Sequence, residues 1–264
     1  MPRSAMLRAS TSYPFMYRVV RMTSVMAFCL FSLTCSSQSG EEDSYRSARQ
    51  HMVSQDIQGR GIEDARVLGA MRKVKRHLFV PDLYRPMAYA DRPVPIGEGQ
   101  TISQPYIVAL MTYQLHLQPG DTVLEIGTGS GYQAAILAEL VREVYSIEVI
   151  EKLAHTAQER LQRLGYTNVW VRSGDGFYGW AEHAPYDAII ITCATPIIPE
   201  RLVEQLREGG RMILPLGDKP FGQGATVGHQ SLTLITKKGE KIEQQRLEDV
   251  VFVPMTGEID KEKK

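Results

Sequence analysis

Cysteine is scarce in this chain of 264 residues, which contains three. Cys29 and Cys35 lie in an apolar N-terminal segment, leaving Cys193 alone in the body and excluding a disulfide framework there. The six histidines form no His-x-x-x-His pair, and no Cys-x-x-Cys occurs. With the usual zinc spacings missing, no metal is expected. An excess of either charge is also missing. Thirty basic residues balance thirty acidic ones, so no global field draws the chain toward nucleic acid or an anionic membrane. No apolar run reaches the roughly 20 residues that a stable membrane span requires. Internal repeats and low-complexity tracts are lacking from Met52 onward.

What is present is 43% apolar residues, enough for one core and one catalytic domain. The N-terminus stands apart. Arg18 and Arg21 precede the apolar run Val25 to Leu33, which breaks into Ser36, Ser37 and Gln38, the layout of a secretory signal. SLTC, ending at Cys35, matches a lipoprotein cleavage box only loosely, because Ser32 stands three residues before the cysteine. The other reading is a leader upstream of a mis-assigned start. Residues 36–48 are polar and aperiodic, which marks a linker. The expected division is a leader with linker over 1–48 and a single domain over 49–264.

The domain opens with Ile62, Val67, Leu68, Met71 and Val74 at helical spacing, continuing to Arg76. Prolines 81, 86, 93 and 95 predict an irregular connection ending at IGEGQTISQP, Ile96 to Pro105. Ile107, Leu110, Met111 and Leu115 mark a second helix. Strands are then predicted at 122–126, 144–147, 169–171, 188–192, 212–216 and 232–236, with helices over 134–141, 150–164 and 200–206. Near-continuous apolar strands alternating with helices give the fold class as α/β, a mostly parallel sheet covered on both faces. KKGEK, Lys237 to Lys241, predicts an antiparallel hairpin at one edge.

VLEIGTGSGY begins at Val123 where the first of these strands meets its helix, the place where ligands sit in open α/β sheets. Gly127, Gly129 and Gly131 admit a close backbone approach and positive φ. Their spacing is not the Gly-x-Gly-x-x-Gly of a dinucleotide loop, and Glu125 would oppose a pyrophosphate while favouring a cationic ligand. Glu148 ends the next strand, where a carboxylate can accept both ribose hydroxyls. Asp175, between glycines in SGDG, would leave its side chain and the amide of Gly176 free for an adenine edge. An adenosine bearing a positive group and no phosphate is S-adenosylmethionine. The expected architecture is therefore the Rossmann-like fold of class I S-adenosylmethionine-dependent methyltransferases.

The chain also resembles the protein-L-isoaspartate O-methyltransferase family. The resemblance spans Gly61 to Gly257 and is most specific in GQTISQP, Gly99 to Pro105, preceded by AYADRPVPIG and by FVP at Phe79. It continues through LEIGTGSGYQAA, GDG, LREGGRMILPLG and VVFVPM. It implies methylation of the α-carboxylate of L-isoaspartyl residues in damaged proteins, initiating repair, and leaves D-aspartyl residues open as a second target. It implies Ser103 as the catalytic residue, Thr101 at cofactor or substrate, and Val253 and Pro254 along a substrate cleft that reads peptide main chain. A carboxylate is already ionised at neutral pH, so no general base is needed. The competing reading has Thr101 and Ser103 cap the helix beginning near Pro105.

Cys193 reads as a small buried residue. Lys75 stands where the family usually has proline, and the loop Asp218 to Gln230 is longer than usual, leaving open whether Gln230 meets the cofactor. A monomer that binds no nucleic acid is expected. The cytoplasm is favoured because the methyl donor is made there, with export or a lipid anchor as the alternative. Two other classes compete. A small-molecule or nucleic-acid methyltransferase would need an Asn-Pro-Pro-aromatic motif or a basic aromatic patch, and neither is present. A non-catalytic S-adenosylmethionine-binding module would keep the glycine loop alone.

Overall fold

The computed structural model describes residues 41–217 and 229–260. The leader through residue 40, with Cys29 and Cys35, and residues 218–228 of the long loop lie outside the described residues. The chain divides into two compact units, Met1–Ser47 and Ala48–Lys264. In the first unit, residues 41–47 are helical where a linker was expected.

In the second unit, helix α1 spans Ala65–Lys73. It is shorter than the apolar spacing suggested because the Asp64 carboxylate accepts from the amides of Arg66 and Val67, fixing the start, while Val74 is extended. The proline-rich connection then contains what the sequence did not reveal, a small antiparallel pair of β1 (Val94–Gly97) and β2 (Gln100–Ile102). Gly97, Glu98 and Gly99 all adopt positive φ and close the turn. Two strands this short, carrying Pro95 and a register shift, have no alternation to detect. Their pairing sets Thr101 opposite Pro95.

Helix α2 (Pro105–Gln114) follows, with proline at its first turn. The main sheet then builds from β3 (Thr122–Ile126), α3 (Tyr132–Ala138), β4 (Glu143–Glu148), α4 (Glu151–Arg163), β5 (Val169–Ser173), β6 (Tyr186–Ile191), α5 (Glu200–Glu204) and β7 (Leu206–Gly217). β8 (Gln230–Lys238) and β9 (Lys241–Val250) complete it. The strand order is β5-β4-β3-β6-β7-β8-β9, parallel through β7 and antiparallel for the last two pairings. The expected edge hairpin is thus β8–β9, itself added antiparallel to a long β7.

Every residue of β3 is buried, because the strand is sandwiched between β4 and β6 and covered on both faces. Leu124, Ile189, Met212 and Leu214 belong to the core on one side of the sheet. Each such side chain contributes roughly 1.5–3 kcal/mol relative to exposure, so Leu124→Ala would cost about 2–5 kcal/mol. The chain runs outward from β3 to β5, then returns to lay β6 on the other side of β3. That reversal opens a crevice beyond the carboxyl ends of β3 and β6, and the mostly parallel sheet with its switch point is the class I methyltransferase architecture. Among the described residues no helix is long and apolar enough to cross a membrane.

Candidate active site

The crevice is floored by the turn after β3. Gly127, Gly129 and Gly131 have φ of 96°, 54° and 86°, the left-handed region that only glycine enters readily. A Cβ on Gly127 would strike Thr192 Oγ1, which donates to the carbonyls of Ile126 and Gly127 and so ties the ends of β3 and β6 together. Glu148, 5% exposed at the end of β4, accepts from Gly129 N at 2.8 Å and from Ile150 N at 3.0 Å. Its carboxylate lines a small cavity of about 90 Å³ together with Gly127, Gly129, Gly176 and Thr101.

Two acids expected at the ligand are used otherwise. Glu125 is fully buried beneath the glycine turn, where it accepts from Ser146 Oγ at 2.5 Å, and its Oε1 has no partner. Burial pushes its pKa up to about 8, partly offset by the Ser146 hydrogen bond, with Glu148 adding to the rise. It is therefore mostly neutral at pH 7 and does not line the cavity, correcting the picture of an ionised carboxylate beside a cation. Asp175 is not free either. Its Oδ1 accepts from Phe177 N at 2.9 Å and its Oδ2 from Glu258 N at 2.7 Å, so it fastens the C-terminal tail to the turn after β5. Gly257 lies so close that a Cβ there would meet the Asp175 carboxylate. Gly176 remains on the cavity wall.

The capping alternative for the hydroxyls fails on geometry. The N-cap of α2 is Gln104, with no side-chain cap from its own segment. The helix end is held instead by Asp91, whose carboxylate accepts from Tyr106 N at 3.2 Å and from Gln104 Nε2 at 2.7 Å. Asp91 escaped the sequence reading because it acts from 15 residues away. Thr101 stays on β2, and half-buried Ser103 faces a second cavity of about 660 Å³.

That cavity is also lined by Arg60, Gln104, His229, Gln230 and Glu248. It shares Thr101, Thr192 and Val253 with the small one. Ligand sites run to about 300–1,000 Å³, so the small cavity needs the larger one beside it to admit a nucleoside. The arrangement fits such a ligand on its own chemistry: Gly127, Gly129 and Gly176 present bare backbone on the cavity wall, and Glu148, anchored by two amides, lines the same space.

Residues 252–255 pair with the chain after β6 through a single parallel bridge. Ala194 N donates to Val253 O at 2.8 Å, Met255 N donates to Ala194 O at 2.8 Å, and Pro254 has no N–H. The buried Gln230 side chain accepts from Phe252 N at 2.7 Å and donates to Phe252 O at 3.3 Å. Gln230 thus braces this segment from the larger cavity and does not line the glycine-turn cavity. Val253 and Pro254 line the site as walls, with most of the local main chain already paired. Cys193 is half-buried where a buried residue was expected; it lines the small cavity, and desolvation, with Glu148 adding to it, pushes its thiol up to about 12, so it is a neutral thiol there. Among the described residues no cluster of three metal-ligating side chains occurs.

Behind the site lies Arg76, fully buried, donating from Nε to Ala88 O and from Nη2 to Ser103 O, each at 2.7 Å. Burial lowers its pKa to about 10, with Tyr132 the largest offsetting influence, so it stays charged at neutral pH.

Comparison with known proteins agrees with this geometry. The family model described as "Protein-L-isoaspartate(D-aspartate) O-methyltransferase (PCMT)" matches residues 47–260. Protein-L-isoaspartate O-methyltransferase 2 of Shewanella sediminis is 53% identical over 218 residues, 83% of this chain and 86% of the relative. Protein-L-isoaspartate O-methyltransferase of a Synechococcus strain is 55% identical over 213 residues, 81% and 87% of the two chains. Among solved structures, a protein-L-isoaspartate O-methyltransferase superposes with a TM-score of 0.71 at 30% identity, covering 80% of this chain and 67% of that one. A second, from Plasmodium falciparum and in complex with S-adenosyl-L-homocysteine, gives 0.66 at 27% identity, covering 80% and 98%. The chain belongs to the protein-L-isoaspartate(D-aspartate) O-methyltransferase family.

Proposed function

We infer that this chain is an S-adenosylmethionine-dependent protein carboxyl O-methyltransferase that esterifies the α-carboxylate of L-isoaspartyl residues in damaged proteins, the first step of their repair. The observation that carries the reading is the meeting of two cavities at Thr101, Thr192 and Val253, with the glycine turn on one side and Ser103 on the other. A nucleoside-binding fold alone would need only the first.

S-adenosylmethionine supplies an electrophilic methyl group on a sulfonium. Gly127 and Gly129 let the backbone approach it, Gly131 lets the start of α3 pack against Leu161 of α4, Glu148 accepts the ribose hydroxyls, and Thr101 and Gly176 close the same small cavity. Asp175 acts on this cavity indirectly, by holding Gly176 and the C-terminal tail in place. Glu125 acts from beneath the turn. On the other side, the Ser103 hydroxyl, which caps nothing, donates a hydrogen bond to one oxygen of the substrate carboxylate and leaves the other oxygen directed at the methyl carbon. The carboxylate is ionised at neutral pH, so no proton has to be removed and no base is required. The rate comes from alignment, worth up to about 7–11 kcal/mol in favourable cases, and from exclusion of water. Val253 and Pro254 wall the cleft near the reacting carboxylate.

In this reading the partners are isoaspartyl-bearing proteins, with no nucleic acid, and the enzyme works as a monomer in the cytoplasm where its methyl donor is made. Export through the leader is the competing location.

The test offers the protein labelled S-adenosylmethionine and two peptides identical except for isoaspartate or aspartate at one position. Base-labile label on the isoaspartyl peptide alone is expected. Cofactor binding without transfer to either peptide would overturn the reading and leave a binding module or a methyltransferase of another substrate.

A further inference from the structure

Arg76 is the largest fully buried side chain among the described residues, and it makes no ion pair with any of them. A guanidinium is costly to bury without a carboxylate, and an apolar residue of the same volume would fill the space without that cost. What the charge achieves is visible in its contacts. Nε donates to Ala88 O and Nη2 to Ser103 O, while Nη1 has no hydrogen-bond partner. The guanidinium carbon lies 4.9 Å from the ring centroid of Tyr132, the first residue of α3 after the glycine turn. One rigid group therefore touches the main chain at Ser103 and the helix that carries the cofactor turn.

We propose that Arg76 is a positioning residue, holding the Ser103 main chain at a set distance from α3 so that the Ser103 hydroxyl meets the substrate carboxylate in line with the methyl group. The proposal rests on the role given to Ser103 above. Arg76 touches neither substrate nor cofactor. Its planar fork spaces two donors rigidly, which a single ammonium cannot do, and charged donors bind neutral carbonyls more strongly than neutral ones do. In-line transfer is sensitive to small displacements, since a shift of about 1 Å can cost on the order of 100-fold in rate. Charge and geometry separate kinetically. Methyl transfer annihilates the carboxylate charge, so the cation's attraction serves binding, whereas the fork serves the rate.

The experiment compares wild type, Arg76→Lys and Arg76→Met for kcat and KM on the isoaspartyl peptide and for S-adenosylmethionine affinity by calorimetry. Amide hydrogen exchange over residues 99–105 is measured alongside. Arg76→Lys keeps the charge but not the fork, so kcat should fall about tenfold with peptide KM unchanged, on the displacement scale above. Arg76→Met should lower kcat by about 100-fold and raise peptide KM, on the same scale. Cofactor affinity should stay within about threefold in both, and exchange over 99–105 should accelerate while that of 122–132 does not. A folded Arg76→Lys protein with wild-type kcat, or one whose cofactor affinity falls in step with kcat, overturns the proposal. Should Arg76→Met fail to fold, Arg76→Lys alone decides. A wild type unable to methylate the peptide would sink the proposed function, and exchange over 99–105 would still decide for Arg76, unchanged exchange overturning it.

Discussion

The amide of Gly129 donates to the carboxylate of Glu148 at 2.8 Å, so the turn after β3 is fastened to the end of β4. One carboxylate thereby shapes the glycine turn and faces the cavity. Replacing Glu148 with alanine should weaken S-adenosylmethionine binding by about 10- to 100-fold, the scale of one or two hydrogen bonds to a charged group, while kcat at saturation changes little. Calorimetric titration checks it. Undiminished affinity would remove Glu148 from the binding site.

Ser103 and Asp91 part company in the same spirit. Ser103→Ala should lower kcat by roughly 10- to 100-fold, the worth of one hydrogen bond to a charged group, with melting temperature and cofactor affinity nearly unchanged. Asp91→Ala should destabilise the protein by about 0.5–2 kcal/mol, because it is Asp91 that caps α2. Denaturant melts and steady-state kinetics on both variants test the pair. A stability loss in Ser103→Ala would revive the capping role.

Glu125 makes stability depend on pH. Its carboxyl titrates near 8 in the fold against an ordinary value of 4.5, so between those values folding takes up a proton. The stabilisation is present in full below 4.5 and is lost as pH rises to about 8, at a slope of at most about 1.4 kcal/mol per pH unit. Glu125→Gln, neutral throughout, should flatten that decline and raise the unfolding midpoint above pH 7. Parallel stability curves for the two proteins from pH 5 to 9 would refute it.

The Cys193 thiol, raised to about 12, should resist alkylation at pH 7.5. In a Cys29→Ser, Cys35→Ser background, iodoacetamide should modify it far more slowly than free cysteine. Labelling at the free-cysteine rate would show a thiolate that the burial argument forbids.

The elements of the sheet were legible because burial on both faces leaves a local trace, the runs of Val, Ile and Leu at β3, β6 and β7. The glycine turn was legible too, since positive φ demands glycine at Gly127 whatever the surroundings. The β1–β2 hairpin was not, because its strands are too short to alternate. The partners of Asp175 and Glu125 were not legible for a different reason. A carboxylate beside glycines has the same sequence appearance whether it meets a ligand or two amides, and Asp175 finds Glu258 across 83 residues.

Read from residues alone, the chain already declares an α/β sheet, a nucleoside-binding turn and a segment, GQTISQP, that carries a family's stamp. These depend on periodicity and local conformation, which neighbours in sequence impose. Which hydroxyl is spared from capping, which acid is neutral and which arginine stands behind Ser103 were decided by packing. Each depends on partners well beyond one helical turn in sequence, Asp91 and Tyr106 being 15 apart and Arg76 and Ser103 27, and on how far burial excludes water. No local pattern encodes either distance.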